Sequence, residues 1–268
     1  MQQDGNALVT AAAAAPAEEG RETKAAKKPG RLRRFLKFLG YASLGLGVLA
    51  IVAHLVWVRS GSGEWELVRE KNGVKVWTLK SPGNALLLVK GSVRAKSRVS
   101  SMVYLIQDAP SGCKDSFCYD AEVFDRAATP PGSYSAFMKF KFDIPGMKTR
   151  QYVLLHEYEQ DPVSKAVSMD LYAAPNKLPR DPCCLRVPYL HNTWVFTPRG
   201  NGELEIELTQ DTDDGGIPYP LANVFMVENT YMVMEMLPAL MQEKRYLHAK
   251  VDGILEPEDT PMGAHAGR

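Results

Sequence analysis

Apolar positions along this 268-residue chain follow three successive patterns. The first is an unbroken run, LGYASLGLGVLAIVAHLVWV, from Leu39 to Val58. Its twenty residues, at 1.5 Å each, span about 30 Å, the hydrocarbon thickness of a bilayer. It has no polar face, so a buried amphipathic helix is a poor description. The second pattern, between Trp65 and Asp213, alternates with a period of two, as half-buried strands do. Trp65 and Leu67 begin it, and Asn72-Gly73 is a hairpin signal. Val74, Val76 and Thr78 then alternate with Lys75 and Trp77. In ALLLVKGSVRA, Leu86, Leu88 and Lys90 share one predicted face. Ala136, Met138, Phe140 and Phe142 oppose Phe137, Lys139 and Lys141. RQYVLLHEYEQ, KAVSMDLYAAP and a hairpin about Gly200-Asn201-Gly202 supply the remaining strands. One helical stretch interrupts them, with Val99, Met102, Val103 and Ile106 on one face and Pro110 at its end.

The third pattern has a helical period. Pro220 marks its start, because proline suits the first helical position. Lys244, Arg245, His248 and Lys250 collect near its end, where cations oppose the helix dipole, and Asp252-Gly253 stops it. Glu228, Glu235 and Gln242 form a narrow polar stripe. Met226, Val233, Leu237 and Leu240 lie opposite, flanked by Met234, Met236 and Met241. A plain core helix and a lid over an apolar hollow both explain this face. Five methionines between positions 226 and 241 favour the lid, because methionine adapts to irregular shapes.

Composition divides the chain. Residues 1–30 are alanine-rich, polar and aperiodic, and are expected to be disordered. Residues 31–59 combine a basic flank with the apolar run. Between Arg21 and Lys37 stand eight Lys/Arg and one acid, Glu22, so the positive-inside rule keeps the N-terminus cytoplasmic. The body then lies on the far side, which in a bacterium is the periplasmic face of the inner membrane. A cleaved signal peptide is the competing reading, but LVWVRSGSG is a poor small-x-small cleavage site. Residues 60–252 form the folded domain, and 253–268 a second disordered tail. From Ser60 onward 23 Lys/Arg face 27 Asp/Glu, and this slightly acidic body excludes a nucleic-acid-binding surface. Outside the cytoplasm Cys113 and Cys118 could close a short disulfide loop. Neither they nor Cys183-Cys184 have zinc-site spacing, so no metal is expected. Consecutive strands followed by one long helix give an α+β fold, in which a curved antiparallel sheet wraps a C-terminal helix.

GVKVWT, LLVKG, IPGMKTRQYVLL and NTWVFTPRGNGELEIELTQDTDDGGIPYPLAN carry a resemblance over about 190 positions, from Trp65 to Tyr246. With them the chain resembles the START (StAR-related lipid-transfer) family of the helix-grip superfamily, in a bacterial-type form with its own anchor. The spacing of Asp213, Pro218, Leu221 and Asn223 is the most specific part. Where the family commonly has Arg-Asp, this chain has Arg150-Gln151. The resemblance implies a monomer enclosing one sterol, phospholipid or other hydrophobic molecule. The loop Asn176 to Pro188 would gate it, with Leu178, Leu185 and Val187 touching bilayer or ligand.

The expected ligand contacts are Met138, Trp194, Met226, Val233 and Leu237 for the apolar body, with Arg150, Asn229 and Thr230 for the polar head. No cofactor is expected. No H-E-x-x-H, G-x-S-x-G, Walker or dinucleotide pattern occurs. His156-Glu157 lies on a strand, where neighbours point to opposite faces. An aromatase- or cyclase-like enzyme on this fold would have to use Arg150 or His156. A filled-core, non-catalytic interaction module is the third reading.

Overall fold

A computed structural model describes residues 30–115 and 118–258. The chain divides into two compact units, Met1–Val52 and Ala53–Arg268. Of the two expected tails, residues 1–29 and 259–268 lie outside the described residues.

Helix α1 (Arg31–Arg59) contains the apolar run, buries none of its residues, and is long and apolar enough to cross a membrane. Its last turns belong to the second unit. There Trp57 Nε1 donates to Ala85 O at 2.8 Å, and its ring stacks on Tyr219.

The second unit opens with β1 (Trp65–Lys71) and β2 (Val74–Leu79). Asn72 and Gly73 join them with φ of 51° and 78°, the doubly left-handed conformation that a two-residue hairpin needs. β3 (Leu88–Lys96) follows. Its buried side chains are Val89, Val93 and Ala95, and Leu88 and Lys90 share the opposite face, as their alternation predicts. Register fixes this: Gly91 pairs with Val76, and a one-residue slip would turn every side chain over. Trp65 and Leu67 sit on the edge strand and are exposed.

Helices α2 (Val99–Gln107) and α3 (Ala109–Asp115) come next. Pro110 stands in the first turn of α3, where its missing N–H costs nothing, rather than at the end of α2. The carboxylate of Glu256 accepts the backbone N–H groups of Val99 and Ser100 at 3.0 and 2.8 Å. An acid there satisfies free donors and the helix dipole together. Gln160 likewise binds both backbone groups of Leu255. The folded region thus runs past the expected boundary at 252, through residues 253–258.

The remaining strands are β4 (Cys118–Phe124), β5 (Ser133–Phe142), β6 (Arg150–Gln160), β7 (Val167–Ala173), β8 (Leu185–Arg186), β9 (Tyr189–Gly200) and β10 (Glu203–Asp213). They build one curved sheet in the order β1-β2-β3-β10-β9-β7-β6-β5-β4, antiparallel throughout, with β8 added parallel to β6. Helix α4 (Tyr219–Leu240) packs on β2 and β3. The helix expected to reach Lys250 ends at Leu240, and the short α5 (Lys244–Leu247) follows a turn. Pro238 has no N–H for its own helical bond, and the next bonds tighten: Gln242 N–H reaches Ala239 O and Glu243 N–H reaches Leu240 O. The polar stripe meets the first hairpin. Glu228 pairs with Arg69 at 2.6 Å, and Glu235 accepts from Asn72 at 2.7 Å.

Gly91 sets how closely α4 approaches. A Cβ there would lie 2.7 Å from Thr230 Cγ2 and 2.8 Å from Met234 Cγ. Gly91→Ala is therefore expected to lower stability by about 1–3 kcal/mol. An unchanged midpoint in urea unfolding would contradict this contact.

Candidate ligand cavity

Strand register fixes which residues face inward. Ala136 pairs with His156, Met138 with Leu154, Met169 with Trp194 and Gln210 with Asn192. Two cavities lie between this inner face and the helices. The first, of about 240 Å3, is walled by Leu105, Met138, Leu171, Trp194, Met236 and Leu237. The second, of about 200 Å3, is lined by Tyr152, Asn192, Gln210, Asp214, Met226 and Asn229, among others. Phe140, Phe142 and Val233 line both, so the two adjoin. Either alone is smaller than a typical ligand site of roughly 300–1,000 Å3, whereas the two joined fall within that range. Two larger hollows occur elsewhere: a polar cleft of about 820 Å3 near Arg126 and Lys250, and a groove of about 680 Å3 beside Trp57 and Tyr219. Neither is lined by Met138, Trp194 or Leu237.

Of the residues expected to touch ligand, Met138, Trp194 and Leu237 line the first cavity, Met226 and Asn229 the second, and Val233 both. Thr230 is fully buried and lines neither. Its hydroxyl donates to Met226 O at 2.7 Å and accepts from Gln210 Nε2 at 2.6 Å, tying α4 to β10. Thr230→Val leaves that amide short of a partner, and a loss of about 1–3 kcal/mol is expected in denaturant unfolding. Arg150 is buried and lines neither cavity. Its guanidinium donates to the carbonyls of Asp214 at 2.8 Å, Gly215 at 2.9 Å, and Lys148. It holds the turn that launches α4.

Apart from Asn229, sequence reasoning missed the polar end of the second cavity. Tyr152 donates to Asp214 Oδ1 at 2.7 Å, and Thr212 donates to Asn192 Oδ1 at 3.0 Å. Burial raises the Asp214 carboxyl above its ordinary range and raises Tyr152 as well. The available signal was polar residues on the inward register of otherwise apolar strands: Asn192, Gln210 and Thr212.

The loop Asn176 to Pro188 is pinned at several points. Arg186 donates to Gln151 Oε1 at 2.9 and 3.1 Å, and to the carbonyls of Pro175, Leu178 and Pro179. Gln151, where the resemblance leads one to expect aspartate, thus receives a guanidinium. Lys141 bridges to Asp181 at 2.9 Å. A disulfide joins Cys113 to Cys118 beside the first cavity, and another joins Cys183 to Cys184. Asp181, Cys183 and Cys184 lie close together, but sulfurs bonded to each other offer no thiolate to a metal.

His156 faces inward, fully buried, with its ring 5.1 Å from that of Tyr134. Neither ring nitrogen has a hydrogen-bond partner among the described residues. Burial drives its pKa down to about 3. It lines neither cavity, and Glu157 points the opposite way, accepting from Ser135 at 2.8 Å. His191 sits on the outer face against Asp170, 3.0 Å away.

No family model matches the chain. An uncharacterised protein of Pseudomonas aeruginosa, PA1579, is 28% identical over 187 residues, covering 69% of this chain and 90% of its own. Among solved structures, a STAR-related lipid transfer protein of Xanthomonas axonopodis aligns with a TM-score of 0.59 at 22% identity, over 67% of this chain and 99% of that one. Human StAR-related lipid transfer protein 5 aligns with a TM-score of 0.56 at 18% identity, over 75% of this chain and 98% of that one. With a nine-strand antiparallel path, an added parallel strand and a long C-terminal helix over an apolar hollow, this chain has the helix-grip fold of StAR-related lipid-transfer domains.

Proposed function

We propose that this protein is a membrane-anchored, monomeric lipid-binding domain that carries one hydrophobic molecule and moves it between membrane and partner sites. The adjoining cavities beneath α4, apolar at one end and polar at the other, support this reading above all. A few hundred Å2 of apolar contact at about 25 cal/mol per Å2 would contribute several kcal/mol, offsetting withdrawal from the bilayer. Met138, Trp194, Val233 and Leu237 would hold the apolar body, with Met226 and Asn229 nearer the head. Arg150 and Thr230 would fix the walls. The role is non-catalytic: the buried His156 is a very weak base and reaches neither cavity.

Helix α1 would anchor the domain and raise its concentration at the donor membrane. Its basic N-terminal flank and the paired cysteines favour the periplasmic side for the domain. Transfer of a fluorescent hydrophobic probe between donor and acceptor vesicles tests this function. Added residues 60–268 are expected to speed transfer at least tenfold. A rate equal to the protein-free control would contradict it.

A further inference from the structure

We propose that the cavity selects a lipid with a neutral, hydrogen-bonding head, such as a single hydroxyl, and excludes lipids that carry a phosphate. This rests on the lipid-binding reading above and adds the chemical class of its ligand. Among the described residues, no lysine, arginine or histidine lines either cavity. The nearby guanidinium of Arg150 is already bound to three backbone carbonyls. Among the described residues, the one ionisable acid or base side chain at the polar end besides Tyr152 is Asp214, an acid. A phosphate there would face the Asp214 carboxyl, while the Arg150 guanidinium beside it is already engaged by backbone carbonyls. Charge-assisted contacts to Arg or Lys are what normally hold a phosphate, and a buried anion without them is strongly disfavoured.

A neutral hydroxyl meets the opposite situation. The side-chain amide of Asn229 has no hydrogen-bond partner among the described residues. Among the described residues, Asn192 accepts from Thr212 but leaves its own N–H2 group free, and Gln210 donates to Thr230 but leaves its carbonyl oxygen free. Donors and acceptors are therefore both on offer around one end of the hollow. A hydroxyl can satisfy one of each, and a head unable to pair with them leaves these cavity-facing polar groups unmatched once it displaces solvent. The apolar wall of Leu105, Leu171, Trp194 and Leu237 begins beyond Phe140 and Val233, so the ligand body extends toward α2 and α3. The joined space suits one compact apolar body rather than two acyl chains.

The test uses the full chain in phosphatidylcholine vesicles carrying traces of one of three diazirine probes. These are a sterol with one hydroxyl, a phosphatidylcholine and a phosphatidic acid. After irradiation, labelled peptides are mapped by mass spectrometry. The sterol probe is expected to label peptides containing Leu171 and Leu237 at least tenfold more than either phospholipid probe. Asn229→Leu is expected to lower that labelling at least fivefold. Asn229→Lys, by supplying the absent cation, is expected to raise cavity labelling by phosphatidic acid. Circular dichroism and the unfolding midpoint check that both variants fold. Equal cavity labelling by the phospholipids, or sterol labelling indifferent to Asn229→Leu, would overturn the head-group inference while leaving lipid binding standing. Labelling of α1 alone by all three probes would overturn both.

Discussion

Lowering the pH from 7 to 4.5 is expected to weaken the folded domain by about 3 kcal/mol through His156 alone, and His156→Leu is expected to abolish that part of the loss. The imidazole is fully buried without a hydrogen-bond partner among the described residues, and its pKa falls to about 3. In the unfolded chain it returns to about 6.5. Between those values the unfolded state holds a proton that the folded state does not. Stability is therefore complete above pH 6.5 and declines as pH falls toward 3, by about 1.4 kcal/mol per pH unit. Acidic groups held below their ordinary range by hydrogen bonds, such as Asp161 and Asp181, add losses of the same sign at lower pH. The difference between wild type and His156→Leu, read from urea unfolding of residues 60–268 at each pH, isolates the imidazole. Parallel curves for the two proteins would mean that His156 is not buried neutral.

Val233→Trp is expected to reduce ligand occupancy at least tenfold while shifting the unfolding midpoint by only a few degrees. Val233 is the one α4 residue that lines both cavities. An indole there would grow into empty space instead of into packed atoms, so the usual penalty for overpacking is reduced. Met232→Trp is the control, because Met232 is exposed on the outer side of the same helix. It is expected to leave occupancy unchanged. Equal occupancy in wild type and Val233→Trp would place the ligand elsewhere, the groove beside Trp57 being the next place to look.

Much of the fold was legible because burial leaves a periodic trace. The alternation Ala136, Met138, Phe140 and Phe142 gave the inner face of β5, and Asn72-Gly73 gave the first hairpin. Less was legible where long-range pairing outweighs local pattern. The face of β3 is set by its register with β2 and β10 and by the demand of α4 for a glycine at position 91, none of which its own residues announce. The end of α4 depends on a single proline that a helix can accommodate or not.

The candidate site divides in the same way. The apolar wall could be read from methionines and aromatics on inward positions. Beyond Asn229 the polar end could not, because Tyr152, Asn192, Gln210 and Asp214 come from three separate segments that meet only when the sheet curls. The role of Arg150 was hidden for a related reason: its partners are backbone carbonyls, which no side-chain pattern reveals.

Native mass spectrometry of residues 60–268, purified from the expressing cell without detergent, puts the hollow beneath α4 to the most direct trial. A single co-purified hydrophobic molecule per chain is expected, absent from the Val233→Trp variant and released on unfolding. A ligand-free domain that also takes up no lipid from liposomes would contradict a carrier role and leave a fold whose interior merely packs loosely.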